Sequence, residues 1–228
     1  MRERHVPAAL TRVTSFTWLG VDVGGRRKGF DLALVDDRGL LRLADRLDRR
    51  QAIEFVERHR PAVVAIDSPR SCAPDGHTAR DCERQLAVAI CGIRWTPDIE
   101  RVRASCYYGW IVEGLALFGA LTTRGVDVIE VFPTASWTRW HGQRAARTRA
   151  AWSLEALGEL GLAGIPGRTN QDQRDAIAAA VTARQYASGL TETIGEIVVP
   201  AVDRDRGPQG PPVDSRAVDS RQAIAATW

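Results

Sequence analysis

Acidic residues stand at positions of the sequence where strands would have to bury them. Asp22 lies inside the apolar run TWLGVDV, Asp67 directly follows PAVVAI, and Glu130 lies inside VDVIEVF. Strand interiors disfavour acids, and burying a carboxylate costs free energy unless it is paired or binds a metal ion. A turn before Ser68-Pro69 would explain Asp67 alone, but no comparable local role accounts for Asp22 or Glu130.

Two further acids belong with these three. Asp172 and Asp175 are three residues apart at the start of a predicted helix, so their side chains share one helix face. Alone, Asp172 would be a favourable charge near a helix N-terminus, just after the cap candidates Thr169 and Asn170. Together, the five carboxylates indicate a hard cation, because Mg²⁺ and Mn²⁺ prefer oxygen ligands.

The elements that must position these acids alternate between strands and helices. Strands are predicted at 17–23, 29–35, 39–44, 61–66, 126–132 and 194–199, and helices at 49–60, 78–90, 107–123, 147–160 and 171–188. The first three strands are joined by tight turns and form an antiparallel meander, whereas the later strands follow helices and add in parallel. We therefore expect an α/β fold, in which a mixed sheet carries helices on both faces.

The 228 residues are enough for one ordinary domain. We place it at residues 16–201, between a flexible N-terminus at 1–15 and a disordered C-terminal tail at 202–228, whose prolines and balanced charges cannot build a core. No apolar run is long enough to cross a membrane, and no apolar core of a secretory signal follows the basic start. The expectation is a cytoplasmic protein without membrane contact. The sequence indicates no oligomeric state.

One local segment, rather than the overall charge, suggests a nucleic-acid partner. The net charge is only +3, and the abundance of Arg and Ala is typical of a compositional bias. Residues 137–149, WTRWHGQRAARTR, contain four arginines and no acid. Interleaved arginines and aromatics suit a phosphate backbone and stacked bases, although a solvated loop leading into a helix, with the tryptophans capping the core, would look the same. The predicted nucleic-acid-binding residues are Trp137, Arg139, Trp140, Arg144, Arg147 and Arg149.

The four cysteines form no C-x-x-C pair. The spacings of Cys72, His77, Cys82 and Cys91 match no common zinc site. We expect these thiols, with Cys106, to be reduced and buried or idle.

Four motifs in a fixed order resemble a known family. GVDVGG, AIDSP, IEVFPTASW and DQRDAIAAAVTA are similar to domain-of-unknown-function family 429, whose members are predicted nucleases with an RNase H-like fold. The resemblance runs from about residue 18 to about residue 200. It implies that Asp22 on the first strand, Asp67 at the fourth, and Asp172 and Asp175 on a late helix are the metal ligands, and that Glu130 in the E-V-F-P motif is a fifth catalytic carboxylate. Asp67 departs from the pattern of RNase H and related resolvases, which carry the longer Glu there.

The resemblance implies a two-metal phosphodiesterase acting on DNA or RNA. Its cofactor would be Mg²⁺ or Mn²⁺, with two cations about 3.5–4 Å apart, one activating a water and one stabilising the leaving 3′-oxygen. Arg and Lys side chains bind phosphate oxygens well. The predicted phosphate-binding residues are Arg26, Lys28 and Arg80, the last within the segment RDCE that resembles the family's arginine-rich acidic segment.

Other classes of function are compatible with the same sequence. A non-catalytic nucleic-acid or protein-binding module could retain the fold. VDVGG also resembles the phosphate loop of the actin and sugar-kinase superfamily, but a phosphotransferase of that kind usually needs two such domains and a second glycine-rich motif, which we do not find. A nucleophilic role of Ser68 or Cys72 beside Asp67 is a further alternative.

Overall fold

The computed structural model describes residues 16–202, except for the side chain of Arg26. The strands are β1 (Trp18–Val23), β2 (Phe30–Val35), β3 (Leu40–Leu47), β4 (Val63–Asp67), β5 (Val128–Val131), β6 (Thr191–Ile194) and β7 (Ile197–Pro200). The helices are α1 (Gly25–Lys28), α2 (Arg49–His59), α3 (Asp81–Ala89), α4 (Ile99–Ala104), α5 (Gly109–Thr123), α6 (Pro133–His141), α7 (Arg149–Glu159) and α8 (Gln171–Ala187), with a 3-10 turn at Cys106–Tyr108. The predictions for residues 1–15 and 203–228 lie outside the described residues.

The strands form one mixed sheet in the order β3-β2-β1-β4-β5-β7-β6. Tight connections make β1, β2 and β3 an antiparallel meander, and β4 joins the other side of β1 in parallel. β5 and β7 continue in parallel, and β6 closes the edge as an antiparallel hairpin with β7. This arrangement confirms the predicted α/β, RNase H-like sheet, in which a meander is extended by parallel strands.

Strand alternation gives the sheet two apolar faces, and helices cover both. Trp18, Ala33 and Ala65 belong to the core under α6, α7 and α8, whereas Leu19 and Ile66 belong to the core under α2 and α5. A third, smaller cluster joins α3 to β7. The side chains of β1 that face α8 are therefore the even-numbered ones, and this face includes position 22.

The differences from the sequence prediction have local causes. Pro133 ends the apolar strand, as predicted, but it is also the first residue of α6, a position that suits proline because its fixed φ fits a helix and no N–H is needed. Residues 137–141 are consequently helical rather than part of a loop. The predicted helix at 78–90 begins only at Asp81, and β6 was not predicted. In residues 16–202 no helix is long and apolar enough to cross a membrane.

Gly20 should be essential for stability. A Cβ at this position would lie 2.0 Å from the Ala176 carbonyl oxygen and 2.2 Å from the Ala180 nitrogen, and helix backbone cannot move aside as a side chain can. We expect Gly20→Ala to lower the free energy of unfolding by about 3 kcal/mol or more in urea denaturation. Gly119→Ala, in a helix with open space around the new Cβ, is the matched control and should be neutral or stabilising. A tolerated Gly20→Ala would contradict this packing of α8 on β1.

Candidate active site

Three acids form a row across neighbouring strands at one end of the sheet. In the strand register, Asp22 of β1 is opposite Asp31 of β2 on one side and Asp67 of β4 on the other. Residues at paired positions share a face of the sheet, so these side chains lie on the face covered by α8. The Asp31 carboxylate is buried and accepts a hydrogen bond from the Arg46 backbone nitrogen (2.9 Å).

Asp22 and Asp67 are the unsatisfied members of this row. Neither carboxylate has a hydrogen bond or an ion pair with another described residue. Burial raises the pKa of Asp22 well above its ordinary value, and the negative charges of Asp67 and Asp175 raise it further. Burial likewise raises the pKa of Asp67, although the nearby Arg149 partly opposes the increase. The sheet therefore holds two repelling carboxylates in place.

Helix α8 brings two more acids to the same place. Asn170 caps the helix by accepting from the Gln173 backbone nitrogen (2.7 Å), and the Gln173 side chain returns a bond to the Asn170 backbone. This fixes Asp172 in the first turn, where its carboxylate accepts a hydrogen bond from Lys28 Nζ at 2.7 Å. That bond raises the pKa of Lys28 above its ordinary value. Lys28 reaches Asp172 because Gly25 takes a positive φ of 74° and begins the short α1 turn.

Asp175 is buried and heavily hydrogen-bonded. It accepts from Trp137 Nε1 (3.0 Å), from Gln171 Nε2 (3.0 Å to each oxygen) and from Arg149 (2.8 Å). Gln171 is itself oriented by Arg174, which donates to its amide oxygen at 3.1 Å. Arg149 thus supplies the positive charge that a buried carboxylate requires.

All four predicted metal ligands line one cleft of about 1000 Å³. Its wall also carries polar atoms that are buried yet have no hydrogen-bond partner among residues 16–202, namely Ser68 Oγ, Trp110 Nε1 and Thr134 Oγ1. Buried polar groups are normally satisfied, so these atoms indicate that water or a ligand completes the site. As the side chains stand, however, no three Asp, Glu, His or Cys residues within 16–202 come close enough to enclose one metal ion.

Glu130 does not join the carboxylate row, in contrast to its predicted catalytic role. It is paired in the sheet with Ile66, the residue before Asp67, so alternation turns it to the opposite face. Its carboxylate is bound by Arg80 through two nitrogens, at 2.5 and 2.8 Å, and by the Arg70 backbone nitrogen at 2.9 Å. Burial raises the pKa of Glu130, and Arg80 opposes that increase. Glu130 is the partner of a buried arginine.

The same network corrects the prediction for Arg80. This buried side chain also donates to Glu83 (3.0 Å) and Glu196 (3.2 Å), so its donors serve glutamates and not a phosphate. Burial lowers the pKa of Arg80, but its bonds and attraction to Glu130 outweigh this and raise the pKa above the ordinary value. Of the other predicted phosphate contacts, Lys28 lies at the cleft, while the side chain of Arg26 is outside the described part of the chain.

The predicted nucleic-acid segment divides into buried and accessible residues. Trp137 is completely buried in the core, and Trp140 packs edge-on against it with ring centroids 5.5 Å apart. The Trp137 ring cannot stack on a base, which corrects the prediction for that residue, whereas Trp140 is half-buried. The reason is α6, which was not predicted: the segment is a helix whose apolar side faces the core.

The arginines of that segment differ in the same way. Arg139 is paired with Glu192, and Arg147 donates to the Gln143 carbonyl at 2.7 Å and to Glu155 at 3.1 Å, so both hold the structure together. Arg149 lines the cleft but is engaged with Asp175. Arg144 alone among them is exposed, lines the cleft and has no ion-pair partner in residues 16–202.

Sequence reasoning missed Asp31, although the signal was present. Asp31 lies inside the apolar run GFDLALV, as Asp22 does inside TWLGVDV, and the same argument about strand interiors applies to it. The cysteines are free thiols, as expected.

Comparison with known proteins adds little to this geometry. No protein-family model matches the chain, and no curated protein is similar to it. A solved structure of RuvC from Thermus thermophilus is similar at 17% sequence identity with a TM-score of 0.45, over 75% of this chain and 95% of that chain. The structure of T. thermophilus RuvC in complex with Holliday junction substrate is similar at 18% sequence identity with a TM-score of 0.43, over 75% of this chain and 94% of that chain. The fold assignment rests on the strand order and register.

Relieving the carboxylate repulsion should stabilise the metal-free protein. The folded state raises the pKa values of Asp22 and Asp67, so it holds their protons more tightly than the unfolded state does, and stability falls as pH rises through the raised values. We expect Asp22→Asn in EDTA to raise Tm at pH 7, by roughly 2–4 °C for each kcal/mol gained. The gain should vanish near pH 4, close to the ordinary aspartate value of about 3.9.

The control for this measurement is Asp37→Asn, which changes an exposed turn carboxylate outside the cleft. Its Tm should follow that of the unmodified protein at every pH. A lower Tm for Asp22→Asn at pH 7 would show that the Asp22 carboxylate makes a stabilising interaction.

Proposed function

We propose that this protein is a divalent-metal-dependent nuclease that hydrolyses phosphodiester bonds of DNA or RNA in the cleft above Asp22 and Asp67. The observation that carries the proposal is the register pair of these two carboxylates, which are enclosed, unpartnered and mutually repelling. A protein keeps such a pair at a cost in stability, and a bound cation would offset it.

The residues present fit a hard divalent cation. The free donors are carboxylate oxygens, and the partnerless Ser68 hydroxyl lies in the same cleft. Asp22 and Asp67 would hold a first cation. A second would use Asp172, one oxygen of which accepts from Lys28, or Asp175, both oxygens of which accept hydrogen bonds. A second cation would therefore compete with Lys28 or Arg149 for these acids.

When bound, the metal supplies Lewis-acid chemistry: it lowers the pKa of water and stabilises charge on the leaving oxygen. The chain's own cations have a complementary task. Lys28 is 63% exposed, so it can turn from Asp172 to a substrate phosphate at small cost. Arg149 is 44% exposed and presents a guanidinium, whose planar donors match phosphate oxygens. Both would bind and orient the phosphate beside the acids.

The motif order of the sequence supports a family proposal alongside the functional one. GVDVGG ends β1 and begins α1, AIDSP ends β4, IEVFPTASW runs from β5 into α6, and DQRDAIAAAVTA is in α8. Each motif thus borders the cleft or packs beneath it. We propose on this basis that the chain belongs to domain-of-unknown-function family 429.

One observation favours a second candidate, a non-catalytic nucleic-acid-binding module. Lys28 and Arg149 already neutralise Asp172 and Asp175, and no three potential ligands converge within residues 16–202. If Asp22 and Asp67 bind no cation, the cleft is a charged binding surface without a metal. The two candidates differ in whether a divalent cation binds at Asp22 and Asp67.

Cleavage assays separate the candidates directly. We expect the protein with Mn²⁺ or Mg²⁺ to cleave at least one of a panel of single strands, duplexes, RNA–DNA hybrids and branched junctions, and EDTA to abolish the reaction. Asp22→Asn and Asp67→Asn should each lower the rate by two orders of magnitude or more, about 2.7 kcal/mol in activation free energy. Asp37→Asn should leave the rate unchanged. No cleavage by the metal-loaded protein would favour the binding module.

Arg149 should compete with the metal. Removing its charge lowers the repulsion felt by a cation near Asp67 and Asp175, so Arg149→Ala should bind Mn²⁺ roughly 3- to 10-fold more tightly in isothermal titration calorimetry, corresponding to about 0.6–1.4 kcal/mol. Arg147→Ala is the matched control, because that arginine is paired with Glu155 outside the cleft. Equal affinities for the two variants would show that Arg149 and the cation do not share the acids.

A further inference from the structure

The charges that line the cleft separate into two groups once its ion pairs are set aside. The paired residues are Lys28 with Asp172, Arg149 with Asp175, and Arg80 with Glu83 and Glu130. The charged residues that remain are two acids at the end of the sheet, Asp22 and Asp67, and two arginines on the wall of the cleft, Arg94 and Arg144. Both arginines are exposed and have no ion-pair partner within residues 16–202. A ligand that fits this cleft should therefore place negative charge against Arg94 and Arg144.

The wall is a fixed structure built from residues 90–97 and 142–148, which we call the basic wall. Gln143 Nε2 donates to the Ile90 carbonyl at 2.8 Å and ties the two segments together. The Thr96 backbone nitrogen donates to the buried Glu83 carboxylate at 2.9 Å and anchors the other end. Arg94 and Trp95 thus stand on a loop held at both ends, which reduces the entropic cost of ordering them around a ligand.

Trp95 is the exposed aromatic of this wall. It is 44% exposed, whereas the other tryptophans of residues 16–202 are buried or half-buried. The Arg84 guanidinium lies over its ring at 5.7 Å from the centroid, which supports the indole from the α3 side. Trp95 itself does not line the cleft, but its chain neighbours Arg94 and Thr96 do, so the indole lies one residue away from the cleft lining.

We propose that the basic wall binds an unpaired strand of nucleic acid, with a base stacked on Trp95 and phosphates bound by Arg94 and Arg144. The ligand chemistry follows from the pairing of an aromatic face with unpartnered arginines, since stacking and phosphate contacts together are how proteins hold single strands. A duplex keeps its base faces inside the stack and offers none to Trp95. This inference rests on the proposed nuclease function, because Arg94 and Arg144 line the same cleft as Asp22 and Asp67.

The test measures binding without cleavage. Fluorescein-labelled oligothymidine, oligouridine and a duplex of equal length are titrated by anisotropy in EDTA, and the two single strands distinguish DNA from RNA. We expect at least one single strand to bind more tightly than the duplex. Trp95→Ala should weaken its binding roughly 5- to 100-fold, whereas Trp95→Phe should retain most of it.

A double variant tests the binding of phosphates by the two arginines. Arg94→Ala with Arg144→Ala should reduce the slope of log affinity against log salt concentration by about 1.4, or roughly 0.7 for each phosphate of a single strand that an arginine no longer neutralises. Arg38→Ala with Arg58→Ala removes the same charge from exposed positions outside the cleft and should leave the slope almost unchanged.

The outcomes also separate this inference from the proposed function. If the protein cleaves nucleic acid and its Trp95→Ala variant binds single strands normally, the proposed role of the basic wall is wrong and the proposed nuclease function stands. If single-strand binding depends on Trp95 but the metal-loaded protein cleaves nothing, the role of the basic wall stands and the nuclease function is wrong. Binding to none of the probes overturns the inference. So does a Trp95→Ala variant that changes only the molar mass in light scattering, because Trp95 would then join copies of the chain.

Discussion

Backbone contact between α8 and β1 sets the positions of Asp172 and Asp175 relative to Asp22 in the cleft. At Gly20 the helix lies so close that no side chain fits between them, and the α8 residues that face the sheet include the buried alanines 176, 179 and 180. Small residues on both sides are the only way to obtain this approach. Because α8 packs this closely on β1, its first turns lie near the end of β1 and bring Asp172 and Asp175 into the cleft that contains Asp22.

The electrostatic design of the cleft follows from this crowding. Four acids share a confined space, and the chain neutralises two of them with Lys28 and Arg149 while leaving Asp22 and Asp67 unpaired. Asp175 is held from three directions, so it is the least free to change partners. Lys28 is mostly solvent-exposed, so Asp172 is the acid that can release its cation most easily. The surroundings of Asp172 and Asp175 therefore determine which of the two can exchange its paired cation more easily.

The sequence predicted the sheet well because its signals were local and strong. Apolar runs ended by Gly24, by the turn at Asp36 to Gly39, or by Pro133 fixed the strands, and the capping residues before Asp172 fixed α8. Acids inside strands pointed to the cleft, which does contain Asp22 and Asp67. Helix α6 was not predicted, because residues 137–149 are rich in Arg and aromatics, and composition does not distinguish a solvated loop from a helix with one buried side. Trp137 lies on that buried side.

The assignment of Glu130 shows where sequence reasoning reaches its limit. Glu130 lies inside one apolar strand and Asp67 at the end of another, and nothing in either segment shows how the strands align. In the sheet, Glu130 is opposite Ile66 and not opposite Asp67, and a shift of one residue moves a side chain to the other face. This difference of one residue in register is why the Asp67 carboxylate repels its neighbours, whereas the Glu130 carboxylate is neutralised by Arg80. Register depends on contacts between distant segments, so the chemistry of each acid becomes visible only when the strands are paired.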